Sequence, residues 1–305
     1  MGDFILTLPA LAALRRHFPN RPLEILGYPP IAALAVAGGL ADRVCPVESP
    51  ALAGFFARGG SWTASAGEYF AGFDLIVSYL YDPERIFQSN VTRASAARFI
   101  AGPHRPDEAS DLHATEVFLR PLETLGIDSA DPRPRLVLPA GSPLGGGAWL
   151  ALHPGSGGKN KNWPEANWAE LLARLTARTR WNFLLIDGEA EGGRGRRLSA
   201  LLPPRRVCVA QNLPLVELAQ KIKSCAGFIG HDSGITHLAA ALDLPGLVLW
   251  GPTSAAIWRP RGGKMRLLRD ARGLSQLPVE TVARAAADIW PESQQRIAPP
   301  TIDLS

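Results

Sequence analysis

The chain has 305 residues and sets 32 Lys and Arg against 28 Asp and Glu, a formal charge of +4. With 46% hydrophobic and 20% charged residues it holds enough apolar material for two domain cores and too little charge for a disordered chain. Its 30 Gly and 27 Pro cut the apolar runs into short pieces, the texture of alternating strands and helices.

The basic excess is mild. Arg194, Arg196 and Arg197 cluster without interleaved aromatic residues, which excludes a nucleic-acid stacking platform. They read as a solvated helix face, with attraction to an anionic substrate or membrane surface as the alternative. Cys45, Cys208 and Cys225 are far apart and form no CxxC pair, as expected of buried thiols in a reducing cytoplasm. No basic n-region precedes the first apolar run, and no apolar stretch reaches about 18 residues. Cytoplasmic placement follows, with any contact to the inner membrane peripheral.

In chain order, Phe4 to Phe18 has helical spacing with a proline inside, Leu23 to Gly27 reads as a buried strand, and PPIAALAVAGG as a helix opened by proline. Strands are expected at Arg43 to Val47, Asp74 to Tyr79 and Arg98 to Ala101, with helices around Ala51, Gly67, Glu84 and Thr115. Residues 1–140 therefore form a first α/β domain. The Gly-rich stretch 141–148 is the hinge.

A second alternating series fills residues 149–290. Its strands are Trp149 to His153, Trp181 to Asp187, Arg206 to Val209, Gly227 to Ile229 and Gly246 to Trp250. Its helices are Ala166 to Arg178, Gly192 to Leu202, Leu215 to Lys223, Gly234 to Leu242 and Val279 to Trp290. A polar tail, 291–305, follows. Strand–helix alternation predicts parallel sheets with helices on both faces, and ligands at the carboxyl ends of the strands, in a cleft between the two domains.

Two motifs carry the chemistry. In HPGSGGKNKNWPEANW, His153 to Trp168, a strand ends in a loop with three glycines, Ser156 and two lysines. Glycines such as Gly157 let backbone N–H groups approach an anion, and lysines add point charges. The sequence matches neither a Walker loop nor GxGxxG, so neither ATPase nor nicotinamide chemistry follows. In FIGHDSGITHLAAALDLPGLVLWGPT, Phe228 to Thr253, Asp232 or Ser233 can cap a helix opening at Gly234, whose first N–H groups would face a negative ligand. His237 falls one turn in. A metal reading of His231, Asp232 and His237 lacks zincin spacing. Two anion-shaped turns together suggest one diphosphate-bearing ligand. After the strand ending at Asp187, Glu191 is a candidate for ribose hydroxyls or for the positive end of a helix. Asp3 is a candidate N-cap, or a carboxylate placed to take a proton.

GDFILTLPALAALRRHFP, HPGSGGKNKNWPEANW and GHDSGITHLAAALDLPGLVLWGPT, in this order, closely resemble the heptosyltransferases of glycosyltransferase family 9. The resemblance implies a GT-B fold of two Rossmann-like, doubly wound domains facing across a cleft. It implies inverting sugar transfer from a nucleotide-sugar donor, ADP-heptose, to a lipopolysaccharide-core or related glycan acceptor, with no metal and no cofactor. It places Asp3 at the catalytic base, Lys161 at the donor phosphates, and Ser156 and Gly157 in the phosphate loop. Glu191 matches a glutamate near the nucleoside, and Asp232, Ser233, Gly234 and His237 match the DTGxxH-like donor segment, with Ser in place of the commoner Thr. In the family a strand and short loop precede the Gly-Asp pair, so a true start upstream of Met1 is expected. The alternatives are a nucleotide-sugar-binding protein without catalysis and a sugar-nucleotide epimerase.

Overall fold

A computed structural model describes residues 1–158, 161–188, 192–262 and 264–291. The expected tail is outside the described residues from 292 onward. Two compact units emerge. One takes residues 3–134 and Ser254–Trp258, the other Arg135–Thr253 and the chain from Arg259.

The first unit runs α1 (Gly2–His17), β1 (Glu24–Gly27), α2 (Pro29–Ala37), β2 (Arg43–Pro46), α3 (Ala64–Ala71), β3 (Leu75–Ser78), α4 (Ile86–Ala94), β4 (Arg98–Ala101) and α5 (Ala114–Leu119). The segment around Ala51 is a 3-10 helix, Pro50–Phe56, rather than an α-helix. Glu84 precedes its helix instead of lying in it. Asp82 accepts hydrogen bonds from the Ile86 and Gln88 N–H groups at 2.7 and 3.0 Å, so the helix starts two residues later. β1 pairs in parallel with β2 and β3 with β4, forming two separate two-stranded sheets whose strands β1 and β3 are only partly buried. Phe55, Phe70 and Phe87 form the aromatic centre of this unit, with Phe55 stacked on Trp62 at 4.3 Å.

The second unit carries β5 (Trp149–His153), α6 (Glu165–Arg178), β6 (Asn182–Asp187), α7 (Arg194–Ser199), β7 (Val207–Gln211), α8 (Leu215–Lys223), β8 (Gly227–His231), α9 (Gly234–Ala241), β9 (Gly246–Leu249), β10 (Met265–Leu268) and α11 (Val279–Ile289). The turn of helix Ala255–Trp258, α10, belongs to the first unit. All six strands pair in parallel, in the order β7-β6-β5-β8-β9-β10. That is the doubly wound order, in which strand succession reverses between β5 and β8. Both strands at the reversal are buried at every residue, as parallel strands covered by helices on two faces must be.

The helices earn their places by spacing. In α6 the buried residues Trp168, Leu171, Leu172 and Leu175 recur on one face. Trp163, just before this helix, is fully buried, lies edge-on to Trp168 at 5.5 Å, and donates its indole N–H to the Leu277 carbonyl at 2.9 Å. Trp163→Ala is expected to lower unfolding free energy by about 3–5 kcal/mol, from lost burial, the cavity and an orphaned carbonyl. Denaturant titration checks this; a loss below about 1 kcal/mol would mean that the site collapses around the deletion.

Candidate functional site

The carboxyl ends of β5 and β8 sit side by side, His153 registered with Gly230, at the point where strand order reverses. In a doubly wound sheet this is where ligands bind. The two motifs leave from these two strand ends, and their side chains converge within the second unit.

Lys161 and Asp232 meet directly. The Lys161 ammonium donates to Asp232 Oδ2 at 2.7 Å, and the Thr253 hydroxyl donates to the same oxygen at 2.7 Å. Asp232 is 7% exposed and Lys161 34%, so the buried carboxylate is held by a cation that still reaches solvent. Such a lysine is placed to exchange one anionic partner for another. Thr253 was not singled out from sequence, although its hydroxyl ends the quoted WGPT run.

Ser233 is the N-cap of α9. Its hydroxyl accepts from the Thr236 N–H at 3.4 Å, and His153 Nδ1 lies 3.2 Å from the same oxygen. The helix therefore opens at Gly234 beside the end of β5, its first N–H groups adding partial positive charge. Ile235 to Ala241 are all buried, His237 among them at 6% exposure. Ser156 is buried and donates to the Gly158 carbonyl at 3.1 Å, shaping the loop from within. Gly157 is exposed, with nothing within 4 Å of where a Cβ would stand.

The loop is also gripped from outside. His231, fully buried, accepts the Trp163 N–H on Nε2 at 2.9 Å, and its Nδ1 lies 3.2 Å from the Gly155 carbonyl. Arg194 donates from Nη1 to the Pro154 carbonyl at 2.6 Å, and its Nε lies 3.4 Å from Glu165. Arg197 forms a fork of two 2.8 Å hydrogen bonds to Glu165. These bonds, Arg197's first, hold the Glu165 carboxyl below its usual range. The arginine run is thus a solvated face in part only: Arg196 and Arg197 are exposed, while Arg194 turns inward to the loop.

Other expected residues fall elsewhere. Asp3 belongs to the first unit, exposed in the first turn of α1; the N-cap is Met1, because the helix already includes Gly2. Glu191 lies outside the described residues. His231, Asp232 and His237 form no metal set: among the described residues no group of three His, Cys, Asp or Glu is placed to hold an ion. His231 spends both ring nitrogens on the loop. A cavity of about 470 Å³, lined by Trp181, Lys264, Arg266 and Trp290, opens at the amino ends of the strands, opposite the motifs. Among the described residues no helix is long and apolar enough to cross a membrane.

Residues 139–279, which contain every site residue of the second unit, match the model of glycosyltransferase family 9 (heptosyltransferase). It is this segment, not the whole chain, that resembles family 9. The chain is 38% identical over 110 residues to lipopolysaccharide heptosyltransferase 1 of Pseudomonas aeruginosa, a match covering 36% of this chain and 30% of that protein. The chain thus spans about a third of the length of the curated relatives it matches. The solved structure of E. coli heptosyltransferase WaaC with ADP superposes with a TM-score of 0.74 at 20% identity, covering 95% of this chain and 97% of that one. E. coli ADP-heptose lps heptosyltransferase II gives 0.76 at 16% identity, covering 94% and 95%. At these identities the structures establish the fold, which is GT-B α/β.

Proposed function

We propose that the chain is an inverting glycosyltransferase that moves heptose from ADP-heptose to a lipopolysaccharide-core or related glycan acceptor, without a metal or other cofactor. The observation that carries this reading is the convergence of the Gly-rich loop, Lys161 and the Ser233-capped helix at the reversal point of the second unit's sheet. The second support is the likeness in fold to E. coli heptosyltransferase WaaC, which was solved with ADP.

In the proposed reaction an acceptor hydroxyl attacks the anomeric carbon as the bond to the diphosphate breaks. Asp3 takes the hydroxyl proton. Lys161, the amides beside Ser156 and Gly157, and the first N–H groups of α9 meet the charge growing on the leaving diphosphate. Asp232 holds Lys161 in place until the phosphates compete for it. Glu191 is assigned to the ribose and His237 to the donor side of the site, both on the family resemblance. The acceptor is assigned to the first unit, and the mild basic charge suits a phosphorylated glycolipid at the inner-membrane surface, reached from the cytoplasm.

Incubation with ADP-heptose and a heptose-deficient lipopolysaccharide core should release ADP and add one heptose mass to the acceptor. ADP release that is the same without acceptor would replace transfer by hydrolysis. No consumption of ADP-heptose under either condition, with ADP still bound, would leave a binding protein.

A further inference from the structure

We infer that His231 and Arg194 are positioning residues that tie Pro154 and Gly155, after β5, to Trp163 and Glu165, before and at the start of α6, and so set the anion-binding geometry of Ser156, Gly157 and Lys161. The inference rests on the proposed nucleotide site for its consequence, though not for its geometry. His231 stands at the carboxyl end of β8, and both of its ring nitrogens meet backbone groups that follow β5. Nε2 accepts from the Trp163 N–H, which requires that nitrogen to be unprotonated; the ring proton therefore sits on Nδ1 and points to the Gly155 carbonyl. One neutral imidazole thus ties the second residue of the loop to the next-to-last.

The ring is held against rotation. Trp168 packs edge-on to it at 5.5 Å, and the His231 carbonyl accepts a hydrogen bond from the Thr236 hydroxyl inside α9. Arg194 repeats the arrangement from the opposite side of the sheet order. It bonds the carbonyl of Pro154, the first residue of the loop, and approaches Glu165, the first residue of α6 after it. Gly155 to Trp163 and Pro154 to Glu165 are nested closures of the same segment. Their effect is entropic: a Gly-rich loop has many conformations to lose when it wraps an anion, and fixing its ends before binding removes part of that cost. Both residues act through the loop's backbone and not on the ligand itself.

The test uses four variants of the full chain. His231→Leu removes both bonds. His231→Gln keeps an acceptor near the Nε2 position, His231→Asn keeps a donor near Nδ1, and Arg194→Ala opens the outer closure. Two quantities are read on protein shown to be folded by circular dichroism: hydrogen exchange at Ser156, Gly157 and Trp163, and the ADP dissociation constant by calorimetry. His231→Leu should speed exchange at these amides and weaken ADP at least tenfold. His231→Gln and His231→Asn should each recover part of both effects, and Arg194→Ala should show them in milder form. KM for the donor should rise more than kcat falls. A lowered melting temperature with unchanged loop exchange and unchanged ADP affinity would reduce both residues to fold stability and overturn the inference. Should His231→Leu not fold, the Asn, Gln and Arg194→Ala variants decide by the same two readouts. If the parent protein binds no nucleotide, the proposed function fails by itself, and loop exchange alone still confirms or overturns the closure.

Discussion

Asp3→Asn is expected to slow sugar transfer by roughly 10²–10⁴-fold while leaving ADP affinity within about twofold of the parent protein. The substitution removes a proton acceptor and almost nothing else. Asp3 is exposed in the first turn of α1, and among the described residues it makes no salt bridge. Its structural value is that of a carboxylate near a helix N-terminus, about 0.3–1 kcal/mol, and Asn retains part of it. A loss of two or more orders of magnitude in turnover therefore cannot come from unfolding. Steady-state kinetics with donor and acceptor, paired with ADP calorimetry, read the two quantities separately. Parallel loss of transfer and donor binding would count against the base assignment. Transfer within tenfold of the parent would remove Asp3 from the chemistry altogether.

Lys161→Met should lower kcat/KM by about 10²-fold and weaken ADP about tenfold or more, as expected when a preorganised cation facing the leaving phosphates is lost. Its structural effect is separable. Asp232, 7% exposed, would keep Thr253 and lose its ammonium partner. Removing one partner of a buried carboxylate costs several kcal/mol when both groups are buried; Lys161 reaches solvent, so about 1–2 kcal/mol is expected here. Lys161→Arg keeps charge but not the compact ammonium, and should recover affinity better than turnover. Donor affinity equal to the parent in Lys161→Met would place the lysine in a structural pair only.

Much of the second unit was legible because its periods are clean. Leu215–Lys223 is the helix expected from its apolar spacing, and Trp149–His153 the strand. β10 was missed: MRLL is four residues with a charge in the second place, too short for either period, and its strand identity comes from pairing with β9. In the first unit one parallel sheet was expected, and the described residues give two separate parallel pairs; nothing local in EILG or LIVS says whether their ladders join. Lys161, Asp232 and Ser233 were readable because each lies in a loop leaving a strand end, where position announces function. Their mutual contact was not readable, since Lys161 and Asp232 are 71 residues apart in sequence.

His231 shows the limit most clearly. Beside Asp232, a histidine after a strand suggests a ligand or a metal, yet its partners are backbone groups at Gly155 and Trp163, 76 and 68 residues away. Arg194 was hidden for the opposite reason. Within an arginine run on a short helix it looked like a solvent-facing charge, and only the approach of α7 to the end of β5 turns it inward. Trp163 likewise reads as part of a motif, while its fixed orientation depends on the distant Leu277 carbonyl.

Thermal unfolding with ADP, UDP, GDP and CMP in parallel shows whether the second unit holds the nucleoside diphosphate of a sugar donor. A ligand at about one hundred times its dissociation constant stabilises the folded protein by about 2.7 kcal/mol. For units of this size that raises Tm by about 5–10 °C. This rise is expected with ADP, and little with the other three. A preference for UDP or GDP would contradict the assignment of ADP-heptose as donor, and no shift with any nucleotide would contradict the site itself.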